Sequence, residues 1–232
     1  MATMNEQFYL VYQPIVFVSE NLEHHTREYE VLLRSRETHR FPKQIFDRLL
    51  RSETEYSAFM LWYAKTLEQK LIECPEISVS VNVQLDQFCH EGTRHFLEIL
   101  APYATRVIIE MTEHEPQFLE QEKIDTCFAQ IRAQGFLIAL DDVNTGRNNL
   151  QLLEQYASEV YRLKFSLLHF KELSPANLAS LLEGWRHVAK MYKKEFVVEG
   201  IESSCVSKYL SEQGICLQQG YLFGKGSCLS CE

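Results

Sequence analysis

Short apolar runs recur along the chain, each broken by polar or turn-forming residues. They cover 11–18, 30–33, 77–83, 107–111, 136–140, 160–165, 196–198 and 217–223, and their content of Val, Ile, Leu and aromatic residues predicts eight β-strands. Between most of them the apolar period changes from two to three and four. Tyr56, Phe59, Tyr63, Leu67 and Leu71 fall on one helical face, as do Leu178, Leu181, Leu182, Trp185, Val188 and Ala189. Ser174-Pro175 supplies a helix start, an N-cap followed by proline at the first helical position. Strand–helix alternation of this kind predicts an α/β fold, a (β/α)8 TIM-like barrel. One connection breaks the pattern. Only about ten polar residues, 19–28, separate the first two runs, fewer than a helical parallel crossover needs. The expectation is therefore a modified barrel with an antiparallel first strand, with His24-His25 in the turn of its opening hairpin.

Polar residues gather where these runs end. Glu30 opens Glu-Val-Leu-Leu-Arg, Asn82 sits in Ser-Val-Asn-Val-Gln, and Glu110 follows Val-Ile-Ile. Asp141 and Asp142 follow Leu-Ile-Ala-Leu, Lys164 lies in Tyr-Arg-Leu-Lys-Phe, Glu199 follows Phe-Val-Val, and Gln219 lies in Leu-Gln-Gln-Gly-Tyr. In a barrel the C-terminal strand ends converge on one mouth. Strand alternation puts Val79, Val81 and Val83 on one face and Asn82 with Ser78 and Ser80 on the other. If Glu30, Glu110, Asp141, Asp142 and Glu199 share the mouth, each pair about 4 Å apart repels by about 4 kcal/mol at an effective dielectric of about 20. One lysine does not offset that. Either several carboxylates are protonated or cations bind. Oxygen ligands with one amide carbonyl suit Mg²⁺ or Mn²⁺ rather than zinc. Adjacent aspartates suit two such ions, the arrangement that activates water against a phosphodiester. A lone acid at a strand end is usually a helix cap or a surface charge; five acids, an asparagine and a lysine at successive ends are not so explained.

Composition narrows the class. With 46% hydrophobic and 24% charged residues over 232 positions, the chain can bury a full core without covalent staples. A formal net charge of −9 argues against a large nucleic-acid footprint but leaves room for a small anion held through cations. Seven irregularly spaced cysteines read as reduced thiols. No apolar run approaches the roughly 18 residues of a membrane span, and the polar start lacks a signal peptide's pattern. The expectation is a cytoplasmic protein without a membrane partner. Cys228-Leu-Ser-Cys231 has no second pair to complete a zinc site. Lys190, Lys193 and Lys194 close a helix, where cations suit the dipole. Neither a P-loop nor a serine-triad motif occurs.

Taken in order, these residues resemble the EAL domain family of bacterial cyclic di-GMP phosphodiesterases, over nearly the whole chain. Tyr12-Gln13-Pro14-Ile15 is similar to the family's opening Tyr-Gln-Pro-Ile, and Glu30-Val31-Leu32-Leu33-Arg34 stands where the family has Glu-Ala-Leu-Leu-Arg. Ser80-Val81-Asn82 resembles the asparagine stretch, Glu110-Met111-Thr112-Glu113 the Glu-Leu-Thr-Glu, and Asp141 to Gly146 the Asp-Asp-Phe-Gly-Thr-Gly loop. Lys164 stands where the family has Lys-Ile-Asp; Glu199-Gly200-Ile201-Glu202 resembles Glu-Gly-Val-Glu; Gln219 to Gly224 matches the closing motif. The resemblance implies hydrolysis of cyclic di-GMP to linear pGpG with two divalent cations. It implies that Glu30, Asn82, Glu110 and Asp141 hold one ion, and Asp141, Asp142 and Glu199 the other. Lys164 would touch the attacking water, Gln13 and Arg34 the ligand. Glu113 would pin the Asp-Asp loop, and Glu202 and Gln219 would support Lys164 and the ligand.

The chain also departs from the family pattern. Ser166 replaces the aspartate of Lys-Ile-Asp, so Lys164 is expected to lose a carboxylate partner and turnover to be slow. Val143 and Asn144 replace Phe-Gly, asparagine being the non-glycine residue that best tolerates positive φ. Gly226 stands where a proline is usual. The length suggests one stand-alone domain over 1–232, with about 1–6 and 226–232 loose and any regulatory protein acting in trans; a homodimer stays open. The alternative to an enzyme is a catalytically weak or inactive cyclic di-GMP receptor or interaction module on the same fold.

Overall fold

A computed structural model describes residues 3–112 and 121–229. Its strands are β1 (Phe8–Val18), β2 (His24–Ser35), β3 (Val79–Gln84), β4 (Val107–Thr112), β5 (Leu137–Leu140), β6 (Val160–Ser166), β7 (Glu195–Glu199) and β8 (Leu217–Gln219). They close into a barrel in sequence order. β1 is antiparallel to both β2 and β8, and every other neighbouring pair is parallel. The expected α/β barrel with a reversed first strand is thus the observed fold. Its hairpin is longer than the apolar pattern suggested. β2 begins at His24, and His24 and His25 pair with Val18 and Phe17, so they are exposed strand residues rather than turn residues. An extension outside the core carries no apolar alternation, which is why the pattern missed it.

Around the barrel lie α1 (Met4–Gln7), α2 (Lys43–Leu49), α3 (Glu53–Glu73), α4 (Glu91–Leu100), α5 (Gln121–Ala133), α6 (Leu150–Gln155), α7 (Pro175–Met191) and α8 (Ser204–Glu212). α3 buries Tyr56, Phe59, Tyr63, Leu67 and Leu71, the face predicted from spacing. α7 starts as expected, the Ser174 hydroxyl accepting from the Asn177 N–H at 3.3 Å ahead of Pro175. The outward faces of the strands, among them Val79, Val81, Val83, Ile109, Leu163 and Phe165, pack with these helices into one apolar core. No helix among the described residues is long and apolar enough to cross a membrane. Cys89, Cys127, Cys205, Cys216 and Cys228 are free, whereas Cys74 is disulfide-bonded, so the expectation of uniformly reduced thiols does not hold there.

The barrel interior is layered. Ile15, Val197 and Leu217 with Phe17 form a small apolar cluster separate from the main core. Two ionic groups also span the interior from β6. Arg162, 1% exposed, crosses to β2, where both Glu28 carboxylate oxygens accept from its guanidinium, and it also pairs with Glu195 at 2.6 Å. Arg27 pairs with the same Glu195 at 2.9 Å, so two cations meet two anions. Two residues further along β6, Lys164 points into the other group, described below.

Gly220 ends β8. A Cβ there would lie 2.1 Å from the Ile201 carbonyl oxygen and 2.3 Å from its nitrogen, which are backbone atoms that cannot step aside. Ile201 N–H donates to the Gln219 carbonyl at 3.1 Å, so this contact ties the turn after Glu199 to the strand carrying Gln219. Gly220→Ala is expected to cost about 3 kcal/mol or more, as overpacking against fixed atoms does. A denaturation midpoint equal to wild type would overturn that expectation.

Candidate active site

Lys164 organises the mouth. It is fully buried, and its Nζ lies 2.7 Å from Glu110 Oε2, 2.7 Å from Glu199 Oε1, 3.4 Å from Glu30 Oε2 and 3.5 Å from Asp141 Oδ1. These residues come from β2, β4, β6, β7 and the end of β5, so barrel closure itself gathers them. Ser166 contributes no carboxylate to the ammonium, which nevertheless meets four from elsewhere. Carboxylates from other strands surround it, and position 166 sits beside Glu199 in the β6–β7 register.

Glu30 is held from several sides. It accepts from Asn82 Nδ2 at 2.6 Å and from Gln219 Nε2 at 2.6 Å, besides facing Lys164. The Asn82 bond uses the amide nitrogen and leaves its carbonyl oxygen for the cavity that Asn82 lines. Gln219 also reaches Gln13 Oε1 at 3.4 Å, and Gln13 donates to the Gly224 carbonyl at 3.0 Å. Gln219 therefore meets Glu30 and Gln13 rather than Lys164.

The Asp-Asp loop is fixed by main-chain bonds. Val143 N–H donates to the Lys164 carbonyl at 2.9 Å, and Asp141 N–H to the Met111 carbonyl at 3.2 Å. Asp142 and Asn144 adopt positive φ, 48° and 72°, a conformation that asparagine and aspartate tolerate better than other non-glycine residues. Asn148, which sequence reasoning missed, donates to the Met111 carbonyl at 2.8 Å and to the Asp141 carbonyl, joining β4 to the loop. His169, also missed, lies with Nε2 3.1 Å from Asp142 Oδ2. It follows β6 in a single 3₁₀ turn, Leu167–Phe170. A cavity of about 530 Å³ opens here, lined by Arg34, Asn82, Asp141, Asp142 and His169 and by an apolar wall of Phe41, Phe46, Phe59, Met60 and Tyr63. Of the remaining expected residues, Glu202 is exposed and no hydrogen bond or ion pair joins it to Lys164, so the support predicted from it is absent. Glu113 lies outside the described residues.

Charge is unbalanced. Burial drives the Glu110 carboxyl up to about 8 and the Asp141 carboxyl up to about 6, against the pull of Lys164 and with Glu30 adding to the rise in both. Burial also carries Glu199 well above the ordinary range, Lys164 again opposing. At Glu30 burial pushes the same way, but Lys164 and the bonds from Asn82 and Gln219 outweigh it and hold this carboxyl low. Lys164 stays charged, since Asp141, Glu110, Glu199 and Glu30 together overcome its desolvation. Glu110 Oε1 is buried and meets no hydrogen-bond donor among the described residues. One ligand atom from each of Asp141, Asp142 and Glu199 can be chosen so that all lie within 4.8 Å of one another. An all-oxygen set with excess negative charge and an unused buried carboxylate oxygen fits hard divalent cations.

A pH dependence follows for the metal-free protein. Glu110 ionises near 4.5 when unfolded but keeps its proton to about 8 when folded, so the fold binds more protons between these values. Stability therefore falls as pH rises through that window. Thermal melts in EDTA are expected to give a Tm that declines from about pH 5 to about pH 8, and saturating Mn²⁺ to remove the decline. An equal slope with and without Mn²⁺ would contradict this.

Several known proteins are similar to this chain. The family model for the EAL domain matches residues 1–226. The probable cyclic di-GMP phosphodiesterase PdeN of Escherichia coli K12 is 25% identical over 233 residues, 95% of this chain and 43% of PdeN. PdeB of the same organism, also named a probable cyclic di-GMP phosphodiesterase, is 26% identical over 158 residues, 65% of this chain and 29% of PdeB. The chain spans less than half the length of these relatives. Among solved structures, the PaMucR phosphodiesterase in complex with c-di-GMP superposes with a TM-score of 0.75 at 22% identity, covering 96% of this chain and 92% of that one. The manganese/cy-diGMP complex of Klebsiella pneumoniae BlrP1 gives 0.75 at 20% identity, covering 97% and 57%. Those likenesses share the barrel, and the family model spans all the motifs that fill its mouth: the chain belongs to the EAL domain family.

Proposed function

We propose that this domain hydrolyses cyclic di-GMP to linear pGpG with two divalent cations, Mg²⁺ or Mn²⁺, at the barrel mouth. The observation that carries this reading is the gathering of Glu30, Glu110, Asp141 and Glu199 about one buried lysine, with Asn82 and Asp142 beside them on the cavity. The names of PdeN and PdeB support the substrate. Glu30, Asn82, Glu110 and Asp141 would hold one cation, and Asp141, Asp142 and Glu199 the other. When bound, such ions polarise a phosphodiester and lower the pKa of water. The chain's own groups set the rest. Lys164, desolvated and charged, stabilises hydroxide and the negative charge that develops on the phosphoryl oxygens. Asn82 and Gln219 hold Glu30 ionised and oriented. Arg34, on the cavity wall, offers a planar fork suited to a phosphate or a guanine edge. The reading puts the domain in the cytoplasm; the free thiols among the described residues support that, and the disulfide-bonded Cys74 stands against it.

Purified protein incubated with cyclic di-GMP and Mg²⁺ or Mn²⁺, with products separated by chromatography, tests the proposal. Linear pGpG is expected with either ion, none in excess EDTA, and inhibition by Ca²⁺, which is larger and takes more ligands. Undiminished turnover in EDTA would overturn the metal dependence. Binding of the dinucleotide without product would favour the non-catalytic receptor.

A further inference from the structure

The cavity beside the acidic mouth has an aromatic wall, and one ring of that wall is bare. Phe41 lines the cavity yet keeps 47% of its surface exposed. Behind it the rings are seated in the core. Phe41 meets Phe46 with centroids 5.5 Å apart, Phe46 meets Phe59 with centroids 5.8 Å apart, and both Phe46 and Phe59 are buried. Phe41 thus leans on the core on one side and leaves the rest of its surface to the cavity and solvent.

The backbone that presents this ring is tied down. Ser35, the last residue of β2, donates its N–H to the Arg40 carbonyl at 2.9 Å, and its own carbonyl accepts from His39 N–H at 2.8 Å, which closes residues 35–40 into a turn. The Ser35 hydroxyl accepts from the N–H groups of Glu37 and Thr38. Phe41 follows that turn directly and precedes Pro42, whose ring restricts the chain further. The Phe41 carbonyl accepts from Lys43 N–H at 3.0 Å. A single exposed aromatic needs no explanation on an open surface; one held on a fastened turn at the wall of a cavity is placed there.

Two observations point to what it meets. Asn82, Gln84 and Thr112 line the same cavity from the ends of β3 and β4, where Gln84 and Thr112 are register partners. A wall of rings together with a row of hydrogen-bonding side chains suits a flat group with a π-face and a polar edge, a nucleobase rather than an acyl chain. The segment that carries Phe41 is also cationic. Arg34, Arg36, Arg40 and Lys43 lie between 34 and 43 with one carboxylate, Glu37, among them, in a chain of net charge −9. Positive charge at the rim attracts a base that arrives with phosphates attached.

We propose that Phe41 is a stacking platform for one guanine of the cyclic dinucleotide and so positions the adjoining phosphodiester over the carboxylates of the mouth. The inference rests on the phosphodiesterase reading above and adds a residue that lies outside every motif of the family resemblance. Stacking that holds the substrate and the transition state alike acts on KM more than on kcat.

Calorimetric titration with cyclic di-GMP, in Ca²⁺ so that turnover is suppressed, tests this. Phe41→Ala is expected to weaken binding by roughly tenfold or more, the cost of losing one base–aromatic stack. Phe41→Leu, which keeps apolar area without a π-face, should weaken it by about fivefold, and Phe41→Tyr should bind within about twofold of wild type. Mn²⁺ affinity without nucleotide should be the same in all three variants, which a general loosening of the mouth would not give. In turnover assays KM of Phe41→Ala should rise more than kcat falls. An intermolecular NOE from the imidazole-ring proton of a guanine to the Phe41 ring protons, measured on the wild-type complex, decides the matter if a variant fails to fold. Wild-type affinity in Phe41→Leu, binding by Phe41→Tyr as weak as that of Phe41→Ala, or a bound complex without the NOE overturns the proposal and leaves the phosphodiesterase reading intact. Absence of cyclic di-GMP binding by wild type overturns both.

Discussion

Glu30→Ala is expected to remove measurable turnover, with the rate falling by about a thousandfold or more. Several functions leave with one carboxylate. It would hold a cation, it accepts from Asn82 at 2.6 Å and from Gln219 at 2.6 Å, and it is one of the counterions of Lys164. Loss of one preorganised electrostatic group costs roughly 10²–10³ in rate, and loss of an orienting partner lowers metal affinity by roughly 10–100-fold. Here Asn82, itself a candidate ligand, loses its tether in the same substitution. Initial rates followed by chromatography, together with Mn²⁺ titration, check the result. A variant within tenfold of wild type in both would remove Glu30 from the assigned role.

Lys164→Met is expected to separate catalysis from cation binding. Turnover should fall by roughly 10²–10⁴, the range associated with a lost charge stabiliser or proton-transfer group, while Mn²⁺ still binds. Stability responds in a second, diagnostic way. The metal-free variant leaves Glu30, Glu110, Asp141 and Glu199 facing one another with no cation between them. Removing one partner of a buried ionic group costs about 3–5 kcal/mol, and protonation of Glu110, Asp141 and Glu199 relieves part of it. Saturating Mn²⁺ should therefore raise the Tm of Lys164→Met more than that of wild type, because it supplies the missing positive charge. A rate within twofold of wild type would show that the lysine does not act on the reaction. An equal Mn²⁺-induced rise in both proteins would show that it does not balance the carboxylates.

Much of the site was legible because its chemistry repeats with the strands. Asn82, Glu110, Lys164 and Glu199 each sit in the C-terminal half of a strand, and period-two alternation alone turns Asn82 away from Val81 and Val83. The reversed β1 was legible from the shortness of one connection. What escaped depends on contacts that no period encodes. Asn148 matters because a loop folds back over β4, and His169 because two aromatic rings and a glycine pack its turn against the mouth. Arg162 lay inside an apolar run with no local partner; Glu28 is 134 positions away in sequence and on a strand across the barrel. At Ser166 a local pattern tells only that one carboxylate is missing; how closely those of other strands approach Lys164 is set by barrel closure.

The Arg162 group bears on what this chain can become. Its charges cancel without any ion, and it ties β6 to β2 and β7 below the apolar cluster of Ile15, Val197 and Leu217. Closure of the barrel is therefore underwritten at a depth that substitutions at the mouth do not reach. Neutral substitutions at Glu110 or Asp142 alter the mouth without touching this group, so the architecture and the chemistry of the barrel rest on different residues.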